Sequence, residues 1–173
     1  MKKDKRKPKL ETPKLPIYTL GHSNRTLDKF LEILRAYQID TVIDVRRYPS
    51  SLKFQHFNSG VIKQALKPLG LLYFWFGDYL GGFRPEGYEN FMQTDLFAEG
   101  IQKLTEMARR STTVVMCAEK NYAHCHRWFI ANHLTDAGFR VLHIQDREHL
   151  IGHLIAQKKL SETGTSSQMD LFT

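Results

Sequence analysis

Short runs of β-branched and aromatic residues alternate along this chain with segments whose apolar positions recur every three or four residues. Ile17–Gly21 (IYTLG), 41–45 (TVIDV), 71–76 (LLYFWF), 112–117 (TTVVMC) and 140–144 (RVLHI) read as strands. Between them, Leu27, Phe30, Leu31 and Leu34 form one helical face with Thr26 as its cap, residues 61–67 form a second helix, and Phe97, Ile101, Leu104 and Ala108 mark a third. A fourth helix is expected over 125–137, closed by Gly138. Each strand is followed by a helix, and parallel neighbours require such crossovers. The class is therefore α/β: a mainly parallel sheet of about five strands flanked by helices on both faces. Ligands of such sheets bind in the crevice beyond the carboxyl ends of the strands.

The 173 residues suit one domain. The boundaries expected from composition are a basic arm over 1–15, the α/β domain over 16–157, and a Ser, Thr, Gly and Gln-rich flexible tail over 158–173. Seven Lys or Arg against two Asp or Glu in residues 1–16 supply five of the seven net positive charges. The folded part is thus only weakly basic, and its own charge does not identify a nucleic-acid partner. No apolar run approaches the roughly 20 residues of a membrane span, and the arm lacks the apolar stretch of a secretory signal. Two cysteines eight positions apart do not make a disulfide framework. A cytoplasmic location without membrane contact is expected.

Three strand ends carry the reactive side chains. The first runs into His22 and Ser23, the second into Asp44 and Arg46, and the fourth into Cys117 and Glu119, with Cys125, His126 and Arg127 at the next helix start. If these strands lie parallel and adjacent, their loops share one mouth. Asp44, Glu119 and His126 are candidate acid–base groups, and Cys117 and Cys125 candidate thiols. His22, Ser23, Arg46 and Arg127 are candidate anion-binding groups. A guanidinium is disfavoured at a helix N-terminus, so Arg127 implies an anion that it serves. The same helix start lowers the pKa of Cys125. Plainer roles exist for each: Asp44 capping a turn and pairing with Arg46, Cys117 as a small hydrophobe with inert sulfur, His126 and Arg127 as an exposed helix start. The glycine-rich segment 77–88 reads as a loop, with Phe83 and Tyr88 as parts of a substrate-facing lid.

The patterns IYTLGHSNRTLDKFLEIL, IDTVIDVRRYPSS, YLGG and VVMCAEKNYAHCHRWFIANHL resemble the domain-of-unknown-function 488 family over roughly residues 16–150. The resemblance implies an α/β domain with a site built from the nine side chains named above. It implies no reaction.

The tail adds a second clue. Gln168, Met169, Asp170, Leu171 and Phe172 are similar to the pentapeptide by which bacterial proteins bind the sliding clamp. With ordinary residue usage such a match arises on the order of a few times in 10⁵ positions. Met169, Leu171 and Phe172 end a polar linker and suit pockets on a partner; docking back on the chain's own domain is the alternative. The leading expectation is a DNA-processing protein of repair or replication, a hydrolase or lyase tethered to the bacterial clamp. The runner-up is a cysteine-dependent transferase or phosphatase reminiscent of rhodaneses, although those place an arginine six positions after the cysteine and Arg127 lies ten after Cys117. A non-catalytic anion- or nucleic-acid-binding module is a third possibility. No cofactor is expected; zinc held by Cys117, Cys125 and His126 is the one metal site the residue types suggest, and adjacent side chains at 125 and 126 are expected to diverge.

Overall fold

A computed structural model describes residues 15–154; the basic arm and the tail with Gln168–Phe172 lie outside the described residues. The element order is β1 (Ile17–Gly21), α1 (Leu27–Ala36), β2 (Thr41–Asp44), α2 (Ser59–Leu66), β3 (Leu72–Trp75), α3 (Gly77–Leu80), α4 (Tyr88–Phe91), α5 (Asp95–Ala108), β4 (Thr113–Cys117), α6 (Arg127–Asp136), β5 (Val141–Ile144) and β6 (Leu150–Gly152). One sheet of six strands runs β3-β2-β4-β1-β5-β6. All pairings are parallel except that of β5 with β6.

The expected class holds, and the differences have local causes. A sixth, antiparallel edge strand was not legible, because its three residues are exposed and follow a charged turn. Part of the segment read as a loop, Gly77–Leu80, closes into a single helical turn, with the amides of Leu80 and Gly81 bonded to the carbonyls of Phe76 and Gly77. The last helix starts at Arg127, two residues later than its pattern suggested, because Cys125 is extended at φ −141° and ψ 152°.

β4 occupies the middle of the sheet and is buried along its whole length, as a strand covered on both faces must be. Its side chains alternate between two cores. Val115 and Cys117 pack with Leu104, Ile130 and Leu134 of α5 and α6, whereas Val114 and Met116 pack with Phe30, Leu34, Ile62 and Leu66 of α1 and α2. Thr26 caps α1 as expected, its Oγ1 accepting from the Lys29 amide at 3.3 Å. β3, at the sheet edge, leaves Leu72, Phe74 and Trp75 half-exposed. The order β2-β4-β1 is what positions the site. It sets the carboxyl ends Asp44, Cys117 and Gly21 side by side, with Gly21 in register with Cys117 and Asp44 with Met116.

Candidate active site

Backbone hydrogen bonds continue past the strand ends and join the three loops. The amides of His22 and Ser23 donate to the carbonyls of Cys117 and Ala118, and that of Val45 to Met116. Side chains complete the join. His126 Nε2 donates to the Val45 carbonyl at 2.9 Å, and Arg46 Nη1 donates to His22 Nε2 at 3.2 Å.

Asp44 and Arg46 form the buried frame. Asp44 is 0% and Arg46 7% exposed. Asp44 Oδ2 accepts from Arg46 Nη2 at 2.5 Å and from the Tyr73 hydroxyl at 2.6 Å, while Oδ1 accepts from Arg46 Nε at 2.9 Å and from its amide at 3.0 Å. The carboxylate therefore faces protein donors on both oxygens, which makes it a holder of Arg46 rather than a group presented to a substrate. Burial, reinforced by the Asp44 charge, raises the pKa of Tyr73, so its hydroxyl stays a donor. The His22 ring stacks on Phe57 at 4.2 Å and donates from Nδ1 to the Ser23 carbonyl. Burial and then the Arg46 charge lower its pKa to about 4, so at neutral pH its Nε2 is the acceptor that Arg46 requires.

The thiols lie across this frame. Cys117 Sγ and Cys125 Sγ are 3.0 Å apart, and Cys125 Sγ is 3.7 Å from His126 Nδ1 and 3.5 Å from the Arg127 amide. The two neighbouring side chains 125 and 126 thus meet, contrary to the expected divergence, because extended Cys125 is followed by helical His126 at φ −56°. With Nε2 donating to Val45, the His126 ring turns Nδ1 toward the Cys125 sulfur. The contact with Cys117, then His126 and the Arg127 charge, holds the Cys125 pKa well below the ordinary thiol range despite burial. Burial pushes the Cys117 thiol up. Cys125 is the more acidic thiol of the pair.

Arg127 is placed inside the protein, at 1% exposure, and not on the cleft wall. Its Nη2 donates to the Glu119 carbonyl and, at 3.4 Å, to that of Lys120, and Nη1 donates to Thr19 Oγ1 at 3.4 Å. Its buried Nε has no hydrogen-bond partner among the described residues. No carboxylate among the described residues pairs with it.

A polar chain unseen in the sequence extends from Arg127. Since a guanidinium only donates, Thr19 must turn its proton toward His143 Nδ1, 2.7 Å away. His143 Nε2 then donates to His153 Nδ1 at 2.9 Å, and His153 Nε2 to Asn132 Oδ1 at 2.8 Å. Both imidazoles must be neutral for this. Burial lowers His143 to about 3, with His153 and Arg127 adding to the effect, and lowers His153 as well. Tyr122 stacks on His143 at 3.5 Å, which ties the turn before Cys125 to β5. The available signal was His143 itself, a polar residue in the middle of an apolar strand.

Cys117, Cys125, His126, Glu119 and Arg46 line a cleft of about 590 Å³. Its other walls are Tyr48, Phe83, Tyr88, Trp128 and Phe129, with Arg47 and Arg84 at the rim. Phe83 and Tyr88 both line the cleft, Phe83 at 87% exposure, whereas Tyr88 packs against Phe97, His126 and Phe129 with its hydroxyl donating to the Leu80 carbonyl. Arg46, Tyr48, Ala118 and Glu119 also line an adjoining polar lobe of about 530 Å³ that holds His22, Ser23 and Lys120. The Glu119 carboxylate has no ion-pair partner among the described residues. Arg47, Tyr48 and Arg84 lie in the runs RRYP, just past β2, and GGFRP, directly after α3. Among the described residues, no group of three or more His, Cys, Asp or Glu side chains is arranged to hold a metal ion. No helix of the described residues is long and apolar enough to cross a membrane.

The family profile of the domain of unknown function DUF488 matches residues 26–134, more than half of the chain. The chain belongs to the DUF488 family. No curated protein matches it. Within this DUF488 domain the matched span holds Asp44, Arg46, Cys117, Glu119, Cys125, His126 and Arg127, and stops short of His22 and Ser23, which β1 delivers to the same mouth.

Proposed function

We propose that this DUF488 domain is a thiol-dependent enzyme acting on nucleic acid or its nucleotide units, delivered to DNA through the clamp-binding-like tail. The observation that carries the reading is the position of the Cys125 sulfur, 3.7 Å from His126 Nδ1 on the wall of a large cleft. Cys125 is the nucleophile. His126 Nδ1 and Glu119 are the proton-transfer groups, and Arg46, held flat by Asp44, offers its remaining Nη1 hydrogen to an anionic oxygen. Asp44, His22, Ser23 and Arg127 position these groups.

The form of the cleft supports a nucleotide. Flat side chains at Tyr48, Phe83, Tyr88 and Trp128 suit a planar ring. The adjoining lobe, with Ser23 and Lys120, suits a phosphate or sugar. Arg127 is engaged by two loop carbonyls and lies off the cleft wall, which weighs against the phosphatase form, in which a guanidinium wraps the anion under attack.

The test is a panel of nicked, gapped, flapped and damaged DNA, with free nucleotides, assayed under reducing conditions. Cys125→Ser should lose roughly a thousandfold or more of any activity found. Full activity in that variant would remove the thiol mechanism. For the tail, deletion of residues 168–172 should abolish capture by immobilised bacterial clamp without changing the fold, and undiminished capture would remove the tether.

A further inference from the structure

We propose that Cys125 and Cys117 form a reversible redox pair, in which Cys125 reacts with a hydroperoxide entering the cleft and Cys117 resolves the product as an intramolecular disulfide. The two sulfurs are already 3.0 Å apart, so closing to a disulfide of roughly 2.05 Å takes about 1 Å of motion. That is within reach of a side-chain adjustment, because Cys125 precedes α6 in extended backbone and is not part of the helix.

The two thiols are unequal in the way that sequential oxidation needs. Cys125 lines the cleft at 9% exposure, with the Arg127 amide and His126 Nδ1 beside its sulfur. Cys117, at 1%, sits behind it at the end of the central strand. A thiolate in a cationic setting, open to small molecules and next to a second thiol, is the arrangement that oxidants select.

The steps balance. The Cys125 thiolate attacks the terminal oxygen of the hydroperoxide; the O–O bond breaks, sulfur is oxidised to a sulfenic acid, and an alkoxide leaves and takes up a proton. The Cys117 thiol then attacks the Cys125 sulfur. An S–S bond forms, the S–O bond breaks, and the Cys117 proton leaves with hydroxide as water. A small dithiol returns two electrons and two protons, restoring both thiols. While the disulfide stands, the nucleophile is absent and is shielded from irreversible oxidation. The loss of activity that follows rests on the proposed function; the redox step does not.

The experiment uses the full chain with hydrogen peroxide and intact-protein mass spectrometry, with no nucleic acid present. Wild type should become lighter by two hydrogen atoms, lose both alkylatable thiols, remain monomeric in its covalent state, and regain both thiols with dithiothreitol. Cys117→Ser should instead stop at a sulfenic acid trapped by dimedone, and Cys125→Ser should be inert at the same peroxide dose. Cys117→Ala, with its circular dichroism compared to wild type, serves if the serine perturbs the core. Wild type that keeps two alkylatable thiols, or oxidises only between chains, overturns the pair, whatever the DNA panel returns.

Discussion

Replacing Asp44 by Asn removes the carboxylate that neutralises Arg46 while keeping the side chain's shape. Arg46 is 7% exposed and bonded through Nε and Nη2 to Asp44, so it cannot turn to solvent without leaving the frame. Breaking a buried ion pair from one side costs about 3–5 kcal/mol, because the surviving charge stays desolvated. Asn retains one acceptor, which places Asp44→Asn near the lower end, and Asp44→Ala, which also strands the Tyr73 hydroxyl, near the upper. For a chain of this length the loss should lower the melting temperature by roughly 10 °C. Urea and thermal unfolding at pH 7, followed by circular dichroism, read it directly. The double variant Asp44→Leu with Arg46→Met removes both charges and should recover a large part of the loss. An Asp44→Asn protein within about 1 kcal/mol of wild type, or a double variant less stable than Asp44→Ala, would refute the reading of Asp44 as the holder of a buried cation.

Two further perturbations test the neighbours. A Cβ at Gly21 would overlap the Glu119 carbonyl that Arg127 binds, and that obstacle is backbone; Gly21→Ala should cost about 1–3 kcal/mol in urea unfolding and slow alkylation of Cys125, and a neutral result would sever the loop from β1. His143 and His22 have folded pKa values near 3 and 4, below their unfolded values, so the unfolded chain binds more protons between about pH 6.5 and 4. Their stability is present above that window and is lost as pH falls through it, each adding at most about 1.4 kcal/mol per pH unit. His143→Gln should flatten the slope of unfolding free energy against pH over that range, and an unchanged slope would count against the neutral imidazole chain.

The sheet was legible because Val42, Ile43 and residues 114–117 are apolar and buried, so sequence and environment agree along the middle of β2 and β4. Gly77–Leu80 and β6 were not: one turn has no period to detect, and three exposed residues after a charged turn carry no strand pattern. The convergence of His22, Asp44 and Cys117 was readable from their places after parallel strands. Their orientations were not. The helix start at Arg127 suggests a cation facing an anion, and nothing in the linear order says that the guanidinium instead turns inward to Thr19 and the Glu119 carbonyl. Nor does sequence spacing show that Cys125 meets His126, since that depends on one extended residue before the helix.

The account stands on Cys125 being a thiolate at neutral pH, and the rate of its alkylation by iodoacetamide against pH tests this most directly. In Cys117→Ser, where Cys125 is the single thiol and a hydroxyl keeps a donor beside it, with Arg127 and His126 still in place, the rate should stay nearly level from pH 8 to pH 6. An ordinary thiol would slow by about a hundredfold over that range, and a profile of that kind would contradict an activated nucleophile in this cleft.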